Sequence, residues 1–65
     1  MTPYEDCILR LVTKNPGITK SGLVRLQNGP QVKVRDALSA LHTAGHIRPV
    51  PREARHGTIT TWEAV

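Results

Sequence analysis

The stretch Val34-Arg35-Asp36-Ala37-Leu38-Ser39-Ala40-Leu41-His42-Thr43-Ala44-Gly45-His46-Ile47 decides how this chain is read. Val34, Ala37, Leu38, Leu41 and Ala44 recur at the three- and four-residue spacing of one helical stripe. Gly45 follows where a helix end calls for a left-handed residue. After it the period changes, and Ile47 opens an extended run. Away from the stripe, Gln31, Arg35, Ser39 and His42 share one flank. Val32, Asp36 and Thr43 form the crest, and Lys33 lies on the other flank.

Upstream, Asn28-Gly29-Pro30 makes a turn and starts this helix with Pro30 at its first position, so it is expected over residues 30–44. Before the turn, Thr19 suits an N-cap, and Ile18 can staple onto Leu23. Leu23, Val24 and Leu26 supply a short buried stripe for a helix over 19–27. Gly22 costs that helix up to about 1 kcal/mol relative to alanine. At the N-terminus, Thr2-Pro3-Tyr4-Glu5 combines a cap threonine, a proline at the first helical position and a glutamate that reaches back. Tyr4, Cys7, Ile8, Leu11 and Val12 continue at helical spacing until Asn15-Pro16-Gly17 stops a helix over 3–14.

Downstream, residues 46–65 read as two extended runs, Ile47 to Pro51 and Thr58 to Val65, joined by a loop from Arg52 to Gly57. Threonines with Ile59, Trp62 and Val65 suit a strand. Pro49 and Pro51 cannot donate to a ladder, so the first run is expected to be short or at an edge. No internal repeat or composition break divides residues 1–65, which form one domain.

A 65-residue chain buries only about 60% of its unfolded surface. An elaborate cleft is therefore not expected, nor an enzyme. Ser21 and Ser39 have no paired base, Cys7 falls on the apolar stripe of the first helix, and no phosphate-cradling glycine motif occurs. His42 and His46 straddle the Gly45 stop, which leaves a Cys7–His42–His46 zinc site short of a shared face. No catalytic residue, metal or cofactor is implied. The chain carries nine Lys and Arg against five Asp and Glu, a net charge of +4, which favours polyanionic partners. Cys7 is the only cysteine, so no internal disulfide forms and a reducing compartment is expected. Without an apolar run of about 18 residues or a signal-like N-terminus, the expectation is a cytoplasmic protein, nucleoid-associated if it binds DNA, and no membrane partner.

The order of a helix, a short helix, a longer glycine-capped helix, Gly45-His46-Ile47 and a hairpin resembles the winged helix-turn-helix over nearly the whole chain. That resemblance implies an α+β fold of three helices plus a C-terminal β-hairpin wing. It also implies a third helix lying in the major groove of double-stranded DNA. Carried onto this chain, Gln31, Lys33, Arg35 and Ser39 become the contact residues, with Arg35 best suited to fork onto guanine. Asp36 would repel phosphates, unless it accepts from cytosine or pairs with a neighbouring cation. Independently of any family, Arg52, Arg55 and His56 cluster in the hairpin loop, offset only by Glu53, where they can meet phosphates. Arg48 at the hairpin base could add a contact, and Thr19 with Lys20 offers a helix N-terminus plus a cation. The plainer alternative is that these charges are ordinary solvated surface.

Tyr4-Glu5, the leucine pattern of the third helix and the late Trp62 are also distantly similar to the Zα domains that bind left-handed nucleic acid. Those domains rely on an asparagine and a tyrosine one turn apart on that helix. Here Arg35 and Ser39 stand in those places, and the paired prolines before the tryptophan are absent. Z-form recognition is accordingly not expected, and Trp62 reads first as core. The leading expectation is a small regulator, or a phage or plasmid accessory protein, that binds double-stranded DNA. A homodimer would span two half-sites, although no dimerisation helix is visible. The alternative is a protein-docking winged helix, such as an inhibitor or docking subunit of a nucleoprotein complex. Val32 on the crest and the wing prolines favour it, being apolar where phosphates would lie. A non-specific RNA or single-strand binder ranks third, because stacking aromatics are limited to Tyr4 and Trp62.

Overall fold

The computed structural model describes all residues, 1–65. Three helices and three strands follow in the order α1 (Pro3–Lys14), β1 (Ile18–Thr19), α2 (Lys20–Gln27), α3 (Gln31–Thr43), β2 (Ile47–Ala54) and β3 (Gly57–Ala64). The class is α+β. The strands form one antiparallel sheet in the order β1-β3-β2, so the last strand of the chain lies in the middle.

Local chemistry sets the helix ends. The Thr2 hydroxyl accepts from the Glu5 amide and the Glu5 carboxylate accepts from the Thr2 amide, each at 3.2 Å, closing the expected capping box. Thr19 caps α2 by accepting from the Gly22 amide at 3.0 Å. α3 begins one residue later than the sequence implies. Asn28 ends α2 in the left-handed region (φ 53°), and Pro30 has an extended ψ of 137°, which makes it the cap rather than the first helical residue. At the far end Gly45 has φ 82°. The His46 amide donates to the Leu41 carbonyl at 2.9 Å and the Gly45 amide to His42 at 3.0 Å. This is the paired closure that a glycine just past the helix permits.

One apolar cluster holds the elements together. Ile8 and Val12 of α1, Leu23 of α2, Val34, Ala37, Leu38 and Leu41 of α3, and Ile47 of β2 are all buried. Leu26 departs from the expected stripe and is 56% exposed. In so short a helix the residue one turn beyond Leu23 on the inner side is Gln27, four positions on, whereas Leu26 is rotated outward. Gln27 uses that position to accept a hydrogen bond from the Cys7 thiol at 3.2 Å.

β1 is an element that sequence periodicity does not reveal. Ile18 pairs with Trp62 and Thr19 with Thr61, while the Gly17 amide donates to the Trp62 carbonyl at 3.0 Å. A two-residue strand has no alternation to detect, and its pairing is tertiary. The hairpin also differs from expectation. β2 runs through both prolines to Ala54, so the loop expected from Arg52 to Gly57 shrinks to Arg55 and His56. Arg52 and Glu53 are ladder residues opposite Ile59 and Thr58. The prolines fit because the Val50 carbonyl faces β3, where it accepts from the Thr61 hydroxyl at 2.7 Å. Alternation then turns the nitrogens of Pro49 and Pro51 toward the open edge, where no donor is needed.

Candidate nucleic-acid interface

A recess of about 590 Å³ opens between the start of α2, the outer flank of α3 and the central strand. α3 contributes Arg35, Leu38, Ser39 and His42, side chains three or four apart and hence on one flank. Thr19, Lys20 and Ser21 come from the beginning of α2, and Ile59, Thr60 and Trp62 from β3. The pairing of β1 with β3 fixes this arrangement, because it clamps the residues just before α2 against Trp62. The rings of His42 and Trp62 meet edge to face, with centroids 5.7 Å apart, and so join the end of α3 to the same strand.

Charge in the recess has one sign. Lys20 and Arg35 line it and no carboxylate does. Arg35 does have an anion nearby: its Nη2 lies 3.5 Å from an Asp36 carboxylate oxygen, with both side chains roughly two-thirds exposed. A pair so open to water contributes about 0–1 kcal/mol. Asp36 therefore competes only weakly with a ligand for the guanidinium.

The remaining sequence-predicted contacts are scattered. Gln31 is exposed at the first position of α3. Lys33 lies on the opposite flank, in a separate hollow of about 270 Å³ shared with Thr2, Glu5 and Asp36. Arg48 is engaged across the hairpin, where its Nε donates to the Glu63 carboxylate at 2.8 Å and Nη2 donates to the same oxygen. Arg52 leaves the tip. Its guanidinium covers Gly17, so close that a Cβ at that glycine would lie 3.1 Å from Nη2. The two-residue turn is thus left with Arg55 and His56, both exposed. Ile59 follows His56 by three residues, about 10 Å along an extended strand, so the tip begins that far beyond the recess.

The structure brings Thr19, Lys20, Arg35 and Ser39 together, and adds Ser21, His42, Ile59, Thr60 and Trp62, which sequence reasoning did not assign to the site. The signal for His42 was present, since it shares the flank of Arg35 and Ser39. Trp62 is half-buried and packs on the core while also walling the recess. No group of three or more His, Cys, Asp and Glu side chains is placed to hold a metal ion. No helix is long and apolar enough to cross a membrane. In comparison with known proteins, the chain matches no family model, and no curated protein is significantly similar to it.

Proposed function

We propose that this chain is a winged-helix domain that binds nucleic acid, double-stranded DNA before other forms, and serves as a small regulator or accessory factor. The observation that carries the reading is the acid-free recess with Lys20 and Arg35 on its rim, beside a hairpin whose turn is Arg55 and His56. In this arrangement the Arg35 flank of α3 faces base edges in the major groove, which is wide enough to take a helix. The start of α2 takes a phosphate through Lys20 and the first-turn amides other than that of Gly22, which Thr19 caps. The hairpin tip meets the backbone alongside. Arg48 stays outside the contact set because its guanidinium is already bonded to Glu63, and Arg52 because it lies on the ladder over Gly17, away from the tip. A reading helix this short gains specificity from a second copy on a neighbouring half-site.

Titration against random duplex at several salt concentrations tests the proposal. With Lys20 and Arg55 meeting phosphates, log affinity should fall against log salt with a slope of about −2. Undetectable duplex binding at low ionic strength would overturn it in favour of a protein-docking winged helix. That second reading draws on Val32, which is 56% exposed on the α3 crest, where an apolar side chain gains nothing from phosphates.

A further inference from the structure

We infer that the recess between α2, α3 and β3 receives one unpaired nucleotide of a bound strand, its base against Trp62 and Leu38 and its phosphate against Lys20. The inference rests on the nucleic-acid reading and narrows it. A regular duplex presents phosphates and base edges to a surface; it has no group that enters a cavity. This recess of about 590 Å³ has room for a group the size of a nucleotide and is open to solvent on one side, where the rest of a strand can continue. Its apolar lining comes from Leu38 and Trp62, and apolar area is of no use to a phosphate. Its rim carries two cations and no acid. Hydroxyls of Ser21, Ser39 and Thr60 also line it and can donate or accept. A flat apolar face joined to an anion, with hydrogen-bonding edges between them, is the chemistry these walls complement. A nucleotide swung out of a helix has that chemistry and is held elsewhere in such pockets by stacking and edge hydrogen bonds.

Trp62 is the only tryptophan in the chain, so its emission reports on the recess. The full chain is titrated with a regular duplex, with the same duplex carrying one extrahelical thymidine, and with thymidine monophosphate. The extrahelical duplex should bind about tenfold more tightly than the regular one, the scale of one base stacked on an aromatic ring, and should quench Trp62. The mononucleotide should bind far more weakly, because it lacks the flanking contacts. Thr60→Phe, at an exposed strand position on the recess wall, should fill the space and cut the preference below about twofold. Equal affinity for the two duplexes with unchanged emission overturns the inference while leaving duplex binding intact. A Thr60→Phe protein that keeps the tenfold preference overturns it too, as does a mononucleotide that binds as tightly as the extrahelical duplex. Failure to bind either duplex removes the reading beneath it.

Discussion

His42 and Trp62 lie edge to face, 5.7 Å between centroids with their planes at 68°, and this contact couples the last turn of α3 to the central strand. Aromatic pairs in this geometry are worth about 0.5–1.5 kcal/mol beyond the area they bury. Trp62 also packs on the core cluster, so its removal loses more than the pair. His42→Ala should cost about 1 kcal/mol and Trp62→Ala about 3 kcal/mol in urea unfolding. A double-mutant cycle should return a coupling of about 0.5–1.5 kcal/mol. Strictly additive losses would mean that the two rings are neighbours without a shared energy.

Gly22 gives a prediction opposite in sign to helix propensity. An alanine in a helix interior ordinarily gains up to about 1 kcal/mol over glycine. Here a Cβ would stand 2.9 Å from Ile18 Cγ1. Ile18 is held by its strand pairing with Trp62 and by packing against the core, so it cannot swing away cheaply. Gly22→Ala should therefore destabilise the fold by about 1–2 kcal/mol, the scale of overpacking. In an Ile18→Ala background, which lacks that carbon, the same substitution should become stabilising. A thermal melt of the four proteins checks both signs, and a stabilising Gly22→Ala in the native background would contradict the steric account.

How far the fold could be read in advance depends on whether each signal was local. The capping box at Thr2, the Thr19 cap and the Gly45 stop are chemical features confined to a few residues, and all three appear as expected. The α3 stripe likewise put Val34, Ala37, Leu38 and Leu41 in the core, whereas Ala44, expected on the same stripe, is the exposed cap beyond the last helical residue. What escaped was tertiary. β1 exists only because β3 returns beside it, and Leu26 turns outward only because Gln27 takes the inner position. The hairpin tip lost Arg52 because the ladder extended past both prolines on an open edge. In the candidate site, Arg35 and Ser39 were legible from helix geometry. Trp62 was legible as an apolar residue, but its second role as a recess wall depends on where the sheet docks.

The hairpin arginines should separate in a salt titration. Arg55→Ala removes an exposed cation from the turn, so under the proposed mode it should lower duplex affinity at all sequences and reduce the salt slope by about one. Arg48→Ala removes a guanidinium already bonded to Glu63, so the slope should hold within error. Its cost should fall on stability instead, by up to about 1 kcal/mol for an exposed cross-strand pair. Equal slope changes for the two variants would show that Arg48 leaves Glu63 to meet a phosphate.

Arg35 should behave differently from every other cation in the set. Its guanidinium is planar and always charged, and it is positioned on the recess flank of α3 with only the exposed Asp36 as partner. If it forks onto a guanine, Arg35→Ala should cost about 1–3 kcal/mol against the preferred duplex and much less against random duplex, so that the preference collapses. Arg35→Lys keeps the charge and loses the fork, and should restore random-duplex affinity without restoring the preference. Asp36→Asn removes the competing carboxylate and should strengthen binding to both duplexes. Parallel losses on preferred and random duplexes for Arg35→Ala, rescued on both by lysine, would reduce Arg35 to a phosphate contact and leave base reading to another side chain.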